Sequence, residues 1–318
     1  MKGLHRKNWL LVLIATLFLV SAWGPPSEAK VAASFLYNLS DFTGVIPFTW
    51  TRVSVDQERD EIYVLHENRI RVFNAFGMEV YRFGDDLDLG QIVDIAIDQE
   101  GNILLLSYTT SDKGPRYSIH ICNYRGEPTL VRELKDLPPK FAGFSPNRMV
   151  YRDGNLYFVS FLGLEVVVTD FNGNFKKGYD LLSLLELGEK DRGSVEISGF
   201  SVDKEGNILF TVAVLFKAYV LSADGRLDSF GRPGGAPGRF NVVAGIVADS
   251  KGNYLIADKL KSAIMVFDKK YNFLTQFGYR GSKPGNLVVP DEIAIDQHDR
   301  VFITQARKRG VSVFRITH

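Results

Sequence analysis

GIVADSKGNYLIAD, residues 245–258, sets the grammar for the rest of the chain. Apolar and small residues alternate up to Asp249, the turn Ser250-Lys251-Gly252-Asn253 follows, and a second apolar run ends at Asp258. That is a β-hairpin, with Asp at the turn start and Gly where a positive φ is needed. Just upstream, GRPGGAPG (231–238) has the glycine density of a phosphate cradle. It is followed by Arg239, Phe240, Asn241 and Val242 rather than the lysine-hydroxyl pair that such a cradle requires. FGRPGGAPGRF from Phe230 is matched in spacing by FGYRGSKPGNL from Phe277, so the run is one copy of a repeat and reads as a connector.

Working outward, the hairpin pattern recurs as RVSVDQERDEIYVL from Arg52, DIAIDQEGNILLLS from Asp94, RMVYRDGNLYFVS from Arg148, GFSVDKEGNILFTV from Gly199 and EIAIDQHDRVFITQ from Glu292. Third strands follow as RIRVF, YSIHI, EVVVT, KAYVL, AIMVF and VSVF, rich in β-branched residues. Six copies spaced by roughly 42 to 54 residues have the period of four-strand blades, each burying its faces against its neighbours. The fold class is therefore all-β, a six-bladed β-propeller. The last copy supplies three strands before the chain ends at His318. The missing outer strand is expected at the other end, where Ser34 to Leu39 is patterned like Asn272 to Phe277, so that the N-terminal strand closes the last blade.

These motifs resemble those of NHL-repeat proteins, whose pattern runs glycine-rich connector, G-x-F, GIAVD, GN and an apolar YVAD-like strand, then a VF-D strand. Gly238-Arg239-Phe240, Gly245 to Asp249, Gly252-Asn253, Ala257-Asp258 and Val266-Phe267-Asp268 carry the match. The third copy departs, with Arg152 where the others have Asp, and the second carries a long insertion. The resemblance spans nearly all of residues 30–318 and implies a six-bladed propeller. It implies no single function, because this fold hosts scaffolds, receptors and enzymes. Similar propellers include calcium-dependent lactonases and a lyase with histidine-bound zinc.

Composition gives no global field: 38 Lys+Arg stand against 37 Asp+Glu, which argues against a nucleic-acid partner. The N-terminus carries Lys2, Arg6 and Lys7, then apolar residues from Trp9 to Trp23, then Ser27-Glu28-Ala29. Residues 1–29 read as a secretory signal peptide cut after Ala29, with no membrane span remaining, and an uncleaved anchor as the alternative. The single thiol, Cys122, has no internal partner, which fits a bacterial periplasm or the cell exterior.

In a propeller the inner strands line a channel, and the residue opening each inner strand sits near its mouth. Around the ring that position reads Arg52, Asp94, Arg148, Gly199, Gly245 and Glu292, with Asn147, Ser198 and Asp291 one residue earlier. Two outcomes are open: the charges pair and seal the channel, or they present a ligand site with room beside Gly199 and Gly245. Loops between second and third strands carry Lys113, Arg116, Lys217, Lys259, Lys261, Arg307, Lys308 and Arg309, a basic rim suited to a protein or polysaccharide partner. Calcium needs six to eight oxygens, yet the ring has two carboxylates flanked by arginines. His66, His120, His298 and His318 share no equivalent position for zinc. The expectation is an exported, non-catalytic binding module without a resident cofactor, the alternative being a metal-dependent hydrolase or lyase. Asp180 to Gly188, leucine-rich, is expected to form a capped helix of about two turns covering the propeller face or a partner.

Overall fold

The computed structural model describes residues 31–48, 51–85, 87–112, 114–191, 193–306 and 309–318. The expected signal peptide, residues 1–29, and Lys113, Arg307 and Lys308 lie outside these. Six four-stranded antiparallel sheets are arranged in a ring. Blade one is built from Arg52–Asp56, Glu61–His66, Arg69–Phe73 and Glu79–Phe83, and the next four blades follow in strict chain order. Inner strands touch their neighbours all the way round, the one at Pro290–Ile295 meeting the one at Arg52–Asp56.

Closure occurs in blade six. Its strands Pro290–Ile295, Arg300–Gln305 and Val311–Thr317 are completed by Ala32–Asn38, which pairs antiparallel with Val311–Thr317 from Ala32 opposite Thr317 to Asn38 opposite Ser312. Phe35 packs edge-on to Phe314 with ring centroids 5.5 Å apart. The alternation in this strand lets Phe35 reach one core between blades and Leu36 the other.

The aspartate at the end of five of the six inner strands explains the repeat. Asp249 Oδ1 accepts from the N–H groups of Lys251 and Asn253 at 2.9 and 2.8 Å, and its Oδ2 accepts from Asn253 Nδ2 at 2.8 Å. Asp98 and Asp203 hold their turns through the same three contacts. One side chain thus satisfies backbone donors that would otherwise be orphaned in a tight turn. Blade three lacks this device and uses a two-residue turn, Asp153 (φ 48°) and Gly154 (φ 75°), of the kind that suits a short hairpin. Its Arg152 is released for other work.

The connector at 231–238 works as punctuation with one apolar nail. Phe240 is fully buried, its N–H donates to Arg232 O at 2.8 Å, and its ring lies 5.5 Å from that of Phe267 in blade five. Leu287 is the fully buried counterpart in the next connector. The leucine-rich segment is shorter than expected. It makes one helical turn, Leu181–Leu184, capped by Asp180, whose carboxylate accepts from Ser183 N and Oγ. The turn ends because Glu186 adopts φ 56°, before Gly188 is reached. Leu181 and Leu182 are buried with Leu164, Val195 and Ile197, so the propeller's own face covers them. No helix among the described residues is long and apolar enough to cross a membrane.

Candidate functional site

Inner strands run from the mouth toward the opposite face; Arg52 and Arg148 open theirs, while Asp94 and Glu292 lie inside the strands Gln91–Ile97 and Pro290–Ile295. The four side chains converge. Arg52 Nη1 and Arg148 Nη1 both donate to Glu292 Oε1, and Arg148 Nε donates to Asp94 Oδ2 at 2.9 Å. The same Asp94 oxygen accepts from Met149 N at 2.7 Å. Asp94 is fully buried, and its Oδ1 has no hydrogen-bond partner among the described residues. The charges therefore do pair, but not each with the next around the ring: Glu292 serves two arginines, Arg148 reaching across to it as well as to Asp94.

That sharing leaves one guanidinium poorly neutralised. The Arg52 side chain keeps 29% of its surface open, against 13% for Arg148. Its pKa is pushed down to about 10, first by burial and then by the charge of Arg148, with Asp94 and Asp291 opposing. Arg52 stays charged at neutral pH, under a repulsion that an incoming acceptor group would relieve.

Above the cluster lies a cavity of about 400 Å³, within the range of small-molecule sites. Arg52, Arg148, Ser198, Lys259, Asp291 and Glu292 line it together with Thr51, Glu67, Asn68, Gln91, Phe161 and Glu196. Lys259 Nζ pairs with Asp291 Oδ1 at 2.7 Å, and Ser198 Oγ lies 3.1 Å from Thr211 Oγ1. Asn147 is elsewhere engaged, its Oδ1 accepting from Phe161 N at 2.8 Å. Gly199 and Gly245 both line the cavity, and each also faces the backbone of the adjacent inner strand. A Cβ on Gly199 would stand 2.1 Å from Ala244 O, and one on Gly245 would stand 2.7 Å from Asp291 O, so their missing side chains let adjacent inner strands approach.

The basic loops are tied down where they are described. Lys261 Nζ donates to Gly235 O and Ala236 O at 2.8 and 3.0 Å, which binds this loop to the glycine-rich connector. Arg309 Nη2 donates to Ser282 O at 3.1 Å, the same stitch one blade on. Arg116 pairs with Glu133 at 2.6 Å, and Lys217 opens the third strand of blade four, half-buried. Of the residues that sequence reasoning passed over, Asn68 carries most. It lies in a left-handed two-residue turn with Glu67, donates to Gly90 O at 3.0 Å, and accepts from Gln91 Nε2 and Ile92 N at 2.6 and 2.9 Å. The signal was present as Glu-Asn between two strand patterns, but its reach into the next connector was not.

Among the described residues no three His, Cys, Asp or Glu side chains cluster so as to hold a metal ion. No histidine lines the mouth cavity.

A family model described as a six-bladed β-propeller, DUF5128, matches residues 242–317, which hold blade five and the three C-terminal strands of blade six. No curated protein matches the chain by sequence. Solved structures extend the likeness to the whole ring. A streptogramin B lyase superposes with a TM-score of 0.58 at 13% identity, covering 92% of this chain and 100% of its own. A Bacteroides thetaiotaomicron protein of unknown function gives 0.62 at 14% identity, over 91% of this chain and 77% of its own. An auxiliary nutrient-binding protein from Bacteroides ovatus gives 0.58 at 12% identity, over 92% and 78%. At such identities the likeness concerns architecture, and with the observed ring it makes this chain a six-bladed β-propeller.

Proposed function

We propose that the protein is an exported, NHL-type propeller that works as a non-catalytic binding module and takes a polar small molecule, or the polar tip of a partner's loop, in the mouth cavity. The observation that carries this reading is Arg52: a charged fork with one carboxylate contact, shared with a second arginine, open to a cavity of about 400 Å³. A guanidinium presents five donors in a fixed plane, so an acceptor on the ligand would find unused ones here. Glu67 and Glu196, exposed at the same cavity, would accept from the ligand's donors. Ligands of this design carry both kinds of group, as sugars, hydroxy acids and peptide loops do. The nutrient-binding propeller is in keeping with such a role.

The test is a thermal-shift screen of the purified protein against polar compounds and short peptides. A ligand at a hundred times its dissociation constant adds about 2.7 kcal/mol, which raises the midpoint by roughly 5 °C or more in a chain of this size. Arg52→Gln should lose that shift. Hits that stabilise Arg52→Gln as much as the wild type would remove the mouth from consideration. A midpoint that falls with chelator and recovers with calcium or zinc would replace this reading with a metal-dependent hydrolase or lyase.

A further inference from the structure

Arg52 and Glu292 line the mouth cavity and take no part in the lower one, of about 560 Å³, which opens on the far side of the ion cluster. The surface these two side chains keep, 29% and 12%, is thereby placed at the mouth. Their bond uses Arg52 Nη1 and Glu292 Oε1. Arg52 Nε and Nη2 and Glu292 Oε2 have no partner among the described residues, and unlike Asp94 Oδ1 they are not sealed from solvent. Covalent geometry sets these spare atoms beside the bonded pair. The cavity floor thus offers unused donors and an unused acceptor next to one another.

A hydroxyl group donates and accepts at once. Two of them on neighbouring carbons would span such a floor, one accepting from Arg52 and the other donating to Glu292. A carboxylate cannot donate and would meet the charge of Glu292, and an ammonium cannot accept from a guanidinium. The charge balance points the same way. Arg52 and Arg148 are offset by Glu292 and Asp94, and Lys259 by Asp291, whereas Glu67 and Glu196 stand exposed at the cavity with no partner among the described residues. The rim is left net acidic, which disfavours an anion and with it the hydroxy acids.

Phe161 supplies an apolar platform. It is half-buried, packing against the core between blades three and four and also lining the cavity. Its backbone is pinned on both sides, the N–H donating to Asn147 Oδ1 at 2.8 Å and the carbonyl accepting from Ile197 N at 3.2 Å. An aromatic face carries partial negative charge, and the C–H groups of a sugar ring complement it. On the reading that the mouth is the binding site, we infer that its ligand is a neutral sugar ring, free or at the end of a glycan: vicinal hydroxyls on Arg52 and Glu292, C–H face on Phe161.

Ligand-observed NMR titration of the purified protein tests this with glucose, galactose, mannose and xylose, each as the monosaccharide and as its linear trisaccharide. At least one should bind saturably. A trisaccharide held more tightly than its monosaccharide identifies a glycan end, and equal affinity a free sugar. Glucuronate and galacturonate should bind at least about tenfold more weakly than their neutral parents, and combining Glu67→Gln with Glu196→Gln should narrow that gap severalfold. Arg52→Gln should weaken the sugar at least about tenfold, the loss of a charge-assisted hydrogen bond. Phe161→Leu, which keeps apolar bulk without the π face, should weaken it about two- to tenfold and supplies the answer should Arg52→Gln fail to fold. Silence of every neutral sugar at millimolar concentration, uronates bound as tightly as their parents, or unchanged binding in the folded variants would overturn the proposal. If the sugars are silent while other polar compounds bind in an Arg52-dependent way, the sugar falls and the mouth stands. A sugar held equally by the wild type and Arg52→Gln removes both.

Discussion

At the scale of single residues, Glu292 has the most to hold. One of its oxygens accepts from two arginines reaching in from blades one and three, while its own N–H donates to Thr304 Oγ1 at 2.9 Å. Removing its charge leaves two cations against Asp94 alone, in a place where side-chain exposure is 12–13% for Glu292 and Arg148. Breaking a buried pair in this way costs about 3–5 kcal/mol, so Glu292→Gln should unfold at a distinctly lower urea concentration than the wild type. Lys259→Ala, which removes a pair at the open rim, should cost no more than about 1 kcal/mol. Equal costs would mean that the ring charges are solvated and do not form a plug. The sign alternation of this ring was legible in the sequence because the repeat fixes which positions are equivalent. The double use of Glu292 was not, since it depends on how far Arg148 extends past its nearer partner. For the same reason a reading by position credited Lys261 and Arg309 to a free basic rim, although each is occupied by a connector carbonyl.

At the scale of elements, the turn aspartates and the connector phenylalanine were readable from type and spacing alone, because each acts within a few residues of its own position. Readings failed where the partner lay on another blade. Gly199 and Gly245 illustrate this: as sequence they suggest open space, and the structure shows both lining the mouth cavity and also letting adjacent inner strands approach closely. Gly199 has no positive φ, so its constraint is steric contact with the backbone of Ala244 and Gly245. Gly199→Ala must push two strands apart and should destabilise by about 1–3 kcal/mol, the usual range for overpacking. Gly235→Ala, in the connector with nothing within 4 Å of its new Cβ, should stay within about 0.5 kcal/mol of the wild type. Denaturant midpoints of the two variants give the comparison. If they coincide, the approach of the strands is loose enough to absorb a methyl group. The helix at Leu181 teaches a related lesson: leucine content announced it, but the left-handed backbone at Glu186 set its length.

At the scale of the whole molecule, stability rests on a ring, and a ring needs its last contact. Five blades are continuous in sequence and could form in any order. Blade six cannot, because its outer strand and its other three lie at opposite ends of the chain. Pairing Ala32–Asn38 with Val311–Thr317 satisfies an edge that would otherwise be open along its length, and it places Phe35 against Phe314. An open edge of this kind is a template for another strand. A chain that begins at Ser40 should therefore lose at least about 5 °C in melting midpoint and elute from size-exclusion chromatography as larger species. Adding a peptide of residues 30–39 should reverse both effects, because main-chain pairing supplies most of what the strand contributes. A truncated chain that stays monomeric with an unchanged midpoint would show that five complete blades and a three-stranded sixth close the ring without it. The mouth and the lower cavity would then owe their shape to the inner strands alone.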